Sequence, residues 1–246
     1  MKKLTTKLAI CTLIIFAAIT SSPAHTLLTI KSSKRALSPD ERAVSNFKGI
    51  SSSGSFEILV TMGNRESLRI EGDEDVIKNI ETVVENGILK IRNKNRSSWN
   101  WNSGRNEVTI TISAKTLNNI TLSGSGNITV KGPVKSNQLT TTVSGSGNIF
   151  LTADVEEYLG TISGSGKIKV DGKADKAEIR ISGSGDFEGK DLKTSEAAIR
   201  ISGSGNAYIS ADKSIDAAVS GSGNIRYRGN AQVSKSKSGS GSISKL

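Results

Sequence analysis

Residues 120–128 read ITLSGSGNI, and the tetrapeptide SGSG inside them, starting at Ser123, starts again at Ser144, Ser163, Ser182, Ser202, Ser220 and Ser238. The successive spacings are 21, 19, 19, 20, 18 and 18 residues, a period that marks a solenoid. Just before the first six motifs stand Leu122, Val143, Ile162, Ile181, Ile201 and Val219, and two residues earlier Ile120, Thr141, Gly160, Ile179, Ile199 and Ala217. Beyond the motif come Ile128, Ile149, Ile168, Phe187, Ala207 and Ile225, and two residues later Val130, Leu151, Val170, Gly189, Ile209 and Tyr227. Apolar side chains at every second position mean strands with one buried face. Strands that recur once per coil satisfy their backbone groups by lying parallel on the coils before and after, about 4.8 Å away. The fold class this predicts is all-β: a single-stranded parallel β-helix solenoid with coils of about 20 residues. A sandwich of hairpins would need two-residue Asn-Gly or Asp-Gly turns throughout. Asn86-Gly87 and Asp171-Gly172 are available, but they do not recur with the period.

The motif supplies a glycine pair to every coil: Gly124 and Gly126, Gly145 and Gly147, Gly164 and Gly166, Gly183 and Gly185, Gly203 and Gly205, Gly221 and Gly223. If the alternation runs unbroken, both glycines point inward and the serines outward. Glycine there lets the walls approach closely or turns a corner that a Cβ would oppose. The following residue is Asn127, Asn148, Asn206 or Asn224, with Lys167, Asp186 and Ser242 in the other coils. Asparagine returning at one bend predicts a ladder of amides bonded along the axis.

Outward from this core of the sequence, residues 123–246 form the regular coils with a C-terminal cap, and 44–122 lack the repeat but keep short alternating runs, read as irregular N-terminal coils of the same β-helix. Between those runs, Val76, Ile77, Ile80, Val83 and Val84 follow Asp73 at helical spacing, so a short helix or an irregular crossover is expected there. Residues 25–43 carry no pattern and are read as a flexible leader. In residues 1–24, Lys2, Lys3 and Lys7 precede an apolar stretch from Leu8 to Ile19 and a small, polar run ending at Ala24, the layout of a secretory signal peptide. Cleavage there leaves no integral membrane segment, no cysteine and a formal charge lowered from +10 to +7. The protein is therefore expected to be exported, to the periplasm, the cell surface or the medium. At the other end, Lys235, Lys237 and Lys245 take positions that are apolar one coil earlier; they read as a guard against further stacking, or as a frayed end.

Taken together, Phe47 to Val60, the stretch Glu71–Ile91, and above all LSGSGNI at Leu122–Ile128 with the coils that follow resemble the bacterial head GIN family, described as an auto-transporter adhesin head. The resemblance covers about residues 44–230. It implies a right-handed β-helix, an exported protein and an adhesin-like role; it brings no catalytic or binding residues. An auto-transporter also needs a C-terminal barrel of many strands. None follows the last repeat in this sequence, so export by other means is expected.

With one Cys and one His among 246 residues, a disulfide framework and a Cys/His zinc site are excluded, and no cofactor or metal is expected. Basic residues are scattered among acids and not clustered with aromatics, which argues against nucleic acid as a partner. The expected partner is a glycan or a surface protein. The candidate ligand-binding residues are Trp99 and Trp101 in the polar loop SSWNWNSG, Phe150 and Tyr208 in an outward column with Lys169, Glu188 and Arg226, and Arg180 and Arg200 on neighbouring coils. Bland readings stand beside these: the tryptophans shield an edge, the aromatics cover loops, and the arginines find Glu178, Glu196 or a bound anion. The rival function is a carbohydrate-active enzyme, a polysaccharide lyase or hydrolase, with Asp186 and Glu188 as the outward acidic pair. Against it stands the simpler reading of alternating charges on adjacent coils.

Overall fold

The computed structural model describes residues 39–94 and 108–246, which lie within one compact unit. The expected signal peptide, residues 25–38 of the leader and the tryptophan loop fall outside the described residues. No helix among the described residues is long and apolar enough to cross a membrane.

The regular coils are built from five long strands, β9 (Asn127–Gly145), β10 (Asn148–Gly164), β11 (Lys167–Gly183), β12 (Asp186–Gly203) and β13 (Asn206–Gly221), each hydrogen-bonded in parallel to the next. One strand is almost one whole coil. In β10, Ile149, Leu151, Ala153 and Val155 are buried, Glu156 and Glu157 both face out, and Tyr158, Gly160 and Ile162 resume the inward series. That outward pair, repeated at Asp175-Lys176 and Ser195-Glu196, is where the sheet changes direction.

The glycine corner ends each coil. Gly145 adopts φ 124°, and a Cβ there would lie 2.6 Å from the carbonyl oxygen of Gly124. That same carbonyl accepts from the amides of Ser146 and Gly147, at 3.0 and 2.9 Å, which pins one corner onto the previous one. A Cβ on Gly147 would meet Gly126 O at 2.5 Å and Leu122 Cδ2 at 2.6 Å. Both positions are therefore restricted to glycine, for different reasons. The inward orientation expected of both glycines holds for the second only, because a bend at the intervening serine leaves the first half-exposed.

The N-terminal part stacks out of chain order. Strands β1 (Asp40–Arg42), β2 (Gly49–Ser53) and β3 (Glu57–Met62) are followed by β4 (Ser67–Glu71), the one-turn helix α1 (Glu74–Ile77), β5 (Ile80–Glu85), β6 (Ile88–Asn93), β7 (Thr109–Ala114) and β8 (Asn119–Gly124). The rung β2–β3 lies between β6–β7 on one side and β8–β9 on the other, all parallel. Strand β4 then runs antiparallel along β7, β1 antiparallel along β4, and β5 antiparallel along β6, closing that end.

This corrects three expectations. The repeat is not absent from 44–122: Ser53 is level with Ser123 and Glu57 with Asn127, so Ser53-Gly54-Ser55-Phe56 is a glycine corner with Phe56 at the second glycine's place. The short helix is present, with Asp73 capping its N-terminus by accepting from the amide of Asp75 at 2.9 Å, but it stops at Ile77. Val83 and Val84 belong to a strand instead, joined to β6 by a hairpin turn at Asn86 (φ 51°) and Gly87 (φ 74°). Residues 40–42, inside the supposed leader, form an edge strand whose Arg42 donates to the carbonyls of Ile77 and Ile80.

At the far end, β14 (Asn224–Arg228), β15 (Gln232–Ser238) and β16 (Ser242–Lys245) complete the stack. Lys235 and Lys237 are level with Ala217 and Val219, and Lys245 with Tyr227. The segment is paired strand and not frayed. Lys235 holds its ammonium 5.2 Å from the Tyr227 ring and donates to the carbonyl of Ile243.

Candidate functional site

Parallel register turns each outward position into a column along the coils. Phe150, Lys169, Glu188, Tyr208 and Arg226 are mutually level, so the column read from the sequence exists. Of its polar members, Tyr208 and Arg226 engage each other, and Glu188 engages the adjacent column. Lys167 Nζ donates to Glu188 Oε1 at 2.8 Å, which raises the lysine pKa despite partial desolvation. Arg226 reaches the Tyr208 hydroxyl at 3.3 Å and lies 5.7 Å from its ring centroid. Phe150 and Tyr208 stand three coils apart, half-buried, with Lys169 and Glu188 between them.

Beside this column runs the asparagine ladder. Asn148 donates to Asn127 at 2.8 Å and Asn127 to Glu57 at 2.8 Å; further along, Asn224 donates to Asn206 at 3.0 Å and Asn206 to Asp186 at 2.9 Å. Each run starts on a carboxylate, which can only accept, and Lys167 separates the two. Asp186 and Glu188 are thus each hydrogen-bonded to a neighbouring coil, Asp186 by Asn206 and Glu188 by Lys167.

Arg180 and Arg200 are level and both exposed, and neither faces the other without a carboxylate. Glu178 accepts from Arg180 Nε at 2.8 Å, and Asp216 from Arg200 at 3.0 Å. Glu178 was foreseen as a partner; Asp216, one coil further along, was not. Such exposed pairs add at most about 1 kcal/mol each to stability, so their arrangement matters more for surface charge than for the fold. Trp99 and Trp101 lie outside the described residues.

On the side surface an open groove of about 820 Å³ runs along the coils from β9 to β15. One wall is the column Gln138, Glu157, Lys176, Glu196, Ser214 and Gln232; the other is Leu159, Glu178, Ala198, Asp216 and Ser234. Between them the floor is the backbone of Tyr158, Ala177, Ala197 and Ile215, whose side chains are buried in the core, with the partly buried Val233 at the end. Gln138 Nε2 donates to Glu157 at 3.1 Å, and the Arg180–Glu178 and Arg200–Asp216 pairs flank the second wall. None of the wall residues was singled out in the sequence apart from Glu178 and Glu196. The available signal was the pair of adjacent outward polar residues in each coil, which marks the bend but not the groove. Among the described residues no group of three or more His, Cys, Asp or Glu is placed to hold a metal ion.

Residues 46–231 match the family described as "Putative auto-transporter adhesin, head GIN domain". Three solved structures share the fold along nearly their whole length. A "putative adhesin" from Bacteroides fragilis is 25% identical with TM-score 0.79, covering 86% of this chain and 98% of its own. A "putative lipid binding protein" from Parabacteroides distasonis is 28% identical with TM-score 0.71, covering 87% and 98%. A second P. distasonis protein, a "putative adhesin", is 20% identical with TM-score 0.68, covering 85% and 97%, and bears on the fold alone. No match was found among curated proteins.

Proposed function

The chain belongs to the head GIN family, and on that premise we propose that it acts as an exported, non-catalytic adhesion or scaffold module whose side face binds a glycan or a protein on a surface. One observation carries this reading: the regular coils hold their outward columns in register over six levels and shape them into a groove walled by polar side chains. A solenoid of this kind is a rigid display surface, since every coil is fixed by the two beside it. The rival, a carbohydrate-active enzyme, needs a pair of carboxyl groups free to act as acid and base or nucleophile. Asp186 and Glu188 instead serve the ladder and the Lys167 ion pair.

The test is retention without turnover. The immobilised protein, lacking residues 1–24, is expected to hold bacterial or host cells, or members of a glycan array, and to release no reducing ends from a polysaccharide panel. Asp186→Ala and Glu188→Ala should leave retention unchanged. Release of reducing ends that disappears in those two variants would establish the rival.

A further inference from the structure

We propose that the groove is a subsite for a neutral, extended glycan lying parallel to the solenoid axis; this rests on the adhesion reading and names its ligand class. The argument begins with charge. Four carboxylates line the groove, Glu157, Glu178, Glu196 and Asp216. Against them stand Arg180 on Glu178, Arg200 on Asp216, and Lys176 level with Glu196. An acidic polymer would meet the four carboxylates, and a basic one would have to displace cations already in place. An uncharged chain is repelled by neither.

Hydrogen-bonding chemistry narrows the class further. Along the first wall acceptors (Glu157, Glu196) are interspersed with donors (Lys176 and the amides of Gln138 and Gln232), and the second wall adds the acceptors Glu178 and Asp216. A ligand must therefore give and accept bonds at closely spaced points, which vicinal hydroxyl groups do. The backbone amides and carbonyls beneath are already used in the parallel ladders, so the sheet here has no free edge to offer an extended peptide. An extended chain of pyranose units advances by roughly one coil spacing, about 4.8 Å, per sugar. Six levels thus accommodate about five units in register with successive coils. The floor suits this as well: the side chains of Ala177, Ala197 and Ile215 are turned into the core, which leaves the floor low, and Leu159 in the second wall, half-buried, gives apolar contact for a ring face.

Ala198 is the place to test the idea. It faces outward in the wall between Glu178 and Asp216, so a larger side chain there fills the groove without entering the core. Isothermal titration of the protein with linear neutral β-linked gluco-, manno- and N-acetylglucosamine oligosaccharides of two to six units should show affinity for one series rising with length to about five units. Ala198→Arg and Ala198→Trp should each weaken that binding tenfold or more, while Ser204→Arg on the glycine corner leaves it unchanged; thermal melts verify that all three are folded. Cell or array binding retained in full by both Ala198 variants would overturn the groove and leave the adhesion reading intact. Failure of the unaltered protein to bind cells, array or oligosaccharides would overturn both.

Discussion

Inside the coil, two residues break the apolar column that runs through Ile120 and Ile179: Thr141 and Gly160, which are level with each other. Tyr158 explains both. Its ring occupies the space a side chain at 160 would need, since a Cβ there would sit 3.1 Å from Cε1, and its hydroxyl shares a hydrogen bond of 2.5 Å with Thr141 Oγ1. Phe187 repeats the device with Gly189, where a Cβ would fall 2.5 Å from the ring. At these two places the core aromatic goes with a glycine two residues later, and Tyr158 also with a hydroxyl across the coil. Burial raises the Tyr158 pKa above the ordinary phenol value of about 10, opposed in part by the Thr141 hydrogen bond. The folded chain therefore keeps this proton after the unfolded chain has released it. Stability is fully present below pH 10 and declines as pH rises beyond it, by on the order of 1 kcal/mol per pH unit. Lys167, also raised, acts in the same direction. Tyr158→Phe should cost about 1 kcal/mol at pH 8, yet flatten the fall in melting temperature between pH 10 and 12. A slope identical to that of the unaltered protein would show that the phenol does not titrate as argued.

At the scale of the element, the glycine corner is what made the fold legible. A Cβ at either position collides with the previous coil's backbone, so sequence must repeat wherever corners stack. Where stacking ends, the constraint and the signal vanish together. On the side of β2–β3 that faces β6–β7, the strand ends Asn93 and Thr109 are not near neighbours in sequence as those of later coils are, and Phe56 stands where every later coil has glycine. The rung therefore reads SGSF and not SGSG. The same logic explains why the groove could not be read: its walls need only be polar, so Gln138, Glu157, Lys176 and Ser214 share no residue type. Gly205→Ala tests the corner directly. The added methyl would fall 2.3 Å from Gly185 O and 2.7 Å from Ile181 Cγ2, and should cost about 1–3 kcal/mol or more in urea unfolding. Gly63→Ala has only Ser113 Oγ at 3.6 Å to meet and should stay within about 0.5 kcal/mol. Equal effects at the two sites would mean that general flexibility, not the stacked corner, sets the need for glycine.

For the whole molecule, the sequence carries stacking order poorly and end protection well. Nothing in the pattern says that β2–β3 lies between two rungs made later in the chain, because parallel pairing depends on which edge is open and not on chain order. The C-terminal lysines, by contrast, announce themselves as charges where the column demands aliphatics. After Asp216 the chain has Arg226, Arg228, Lys235, Lys237 and Lys245 and no acid. Lys235 and Lys237 are exposed on the same strand as the partly buried Val233, and Lys235 reaches the Tyr227 ring and the Ile243 carbonyl. A parallel edge left open is a template for another chain, and like charges on both partners oppose the pairing. Replacing Lys235 and Lys237 with Ala and Val, the residues one coil earlier, removes that repulsion and extends the apolar column to the edge. The double variant should fold with a melting temperature at or above that of the unaltered protein and associate reversibly with rising concentration in sedimentation velocity, by edge-to-edge pairing of β15. Lys235→Glu with Lys237→Glu keeps charge of the opposite sign and should remain monodisperse alone, but form mixed dimers with the unaltered protein at low salt. A monodisperse Ala/Val variant would show that some other feature protects this end.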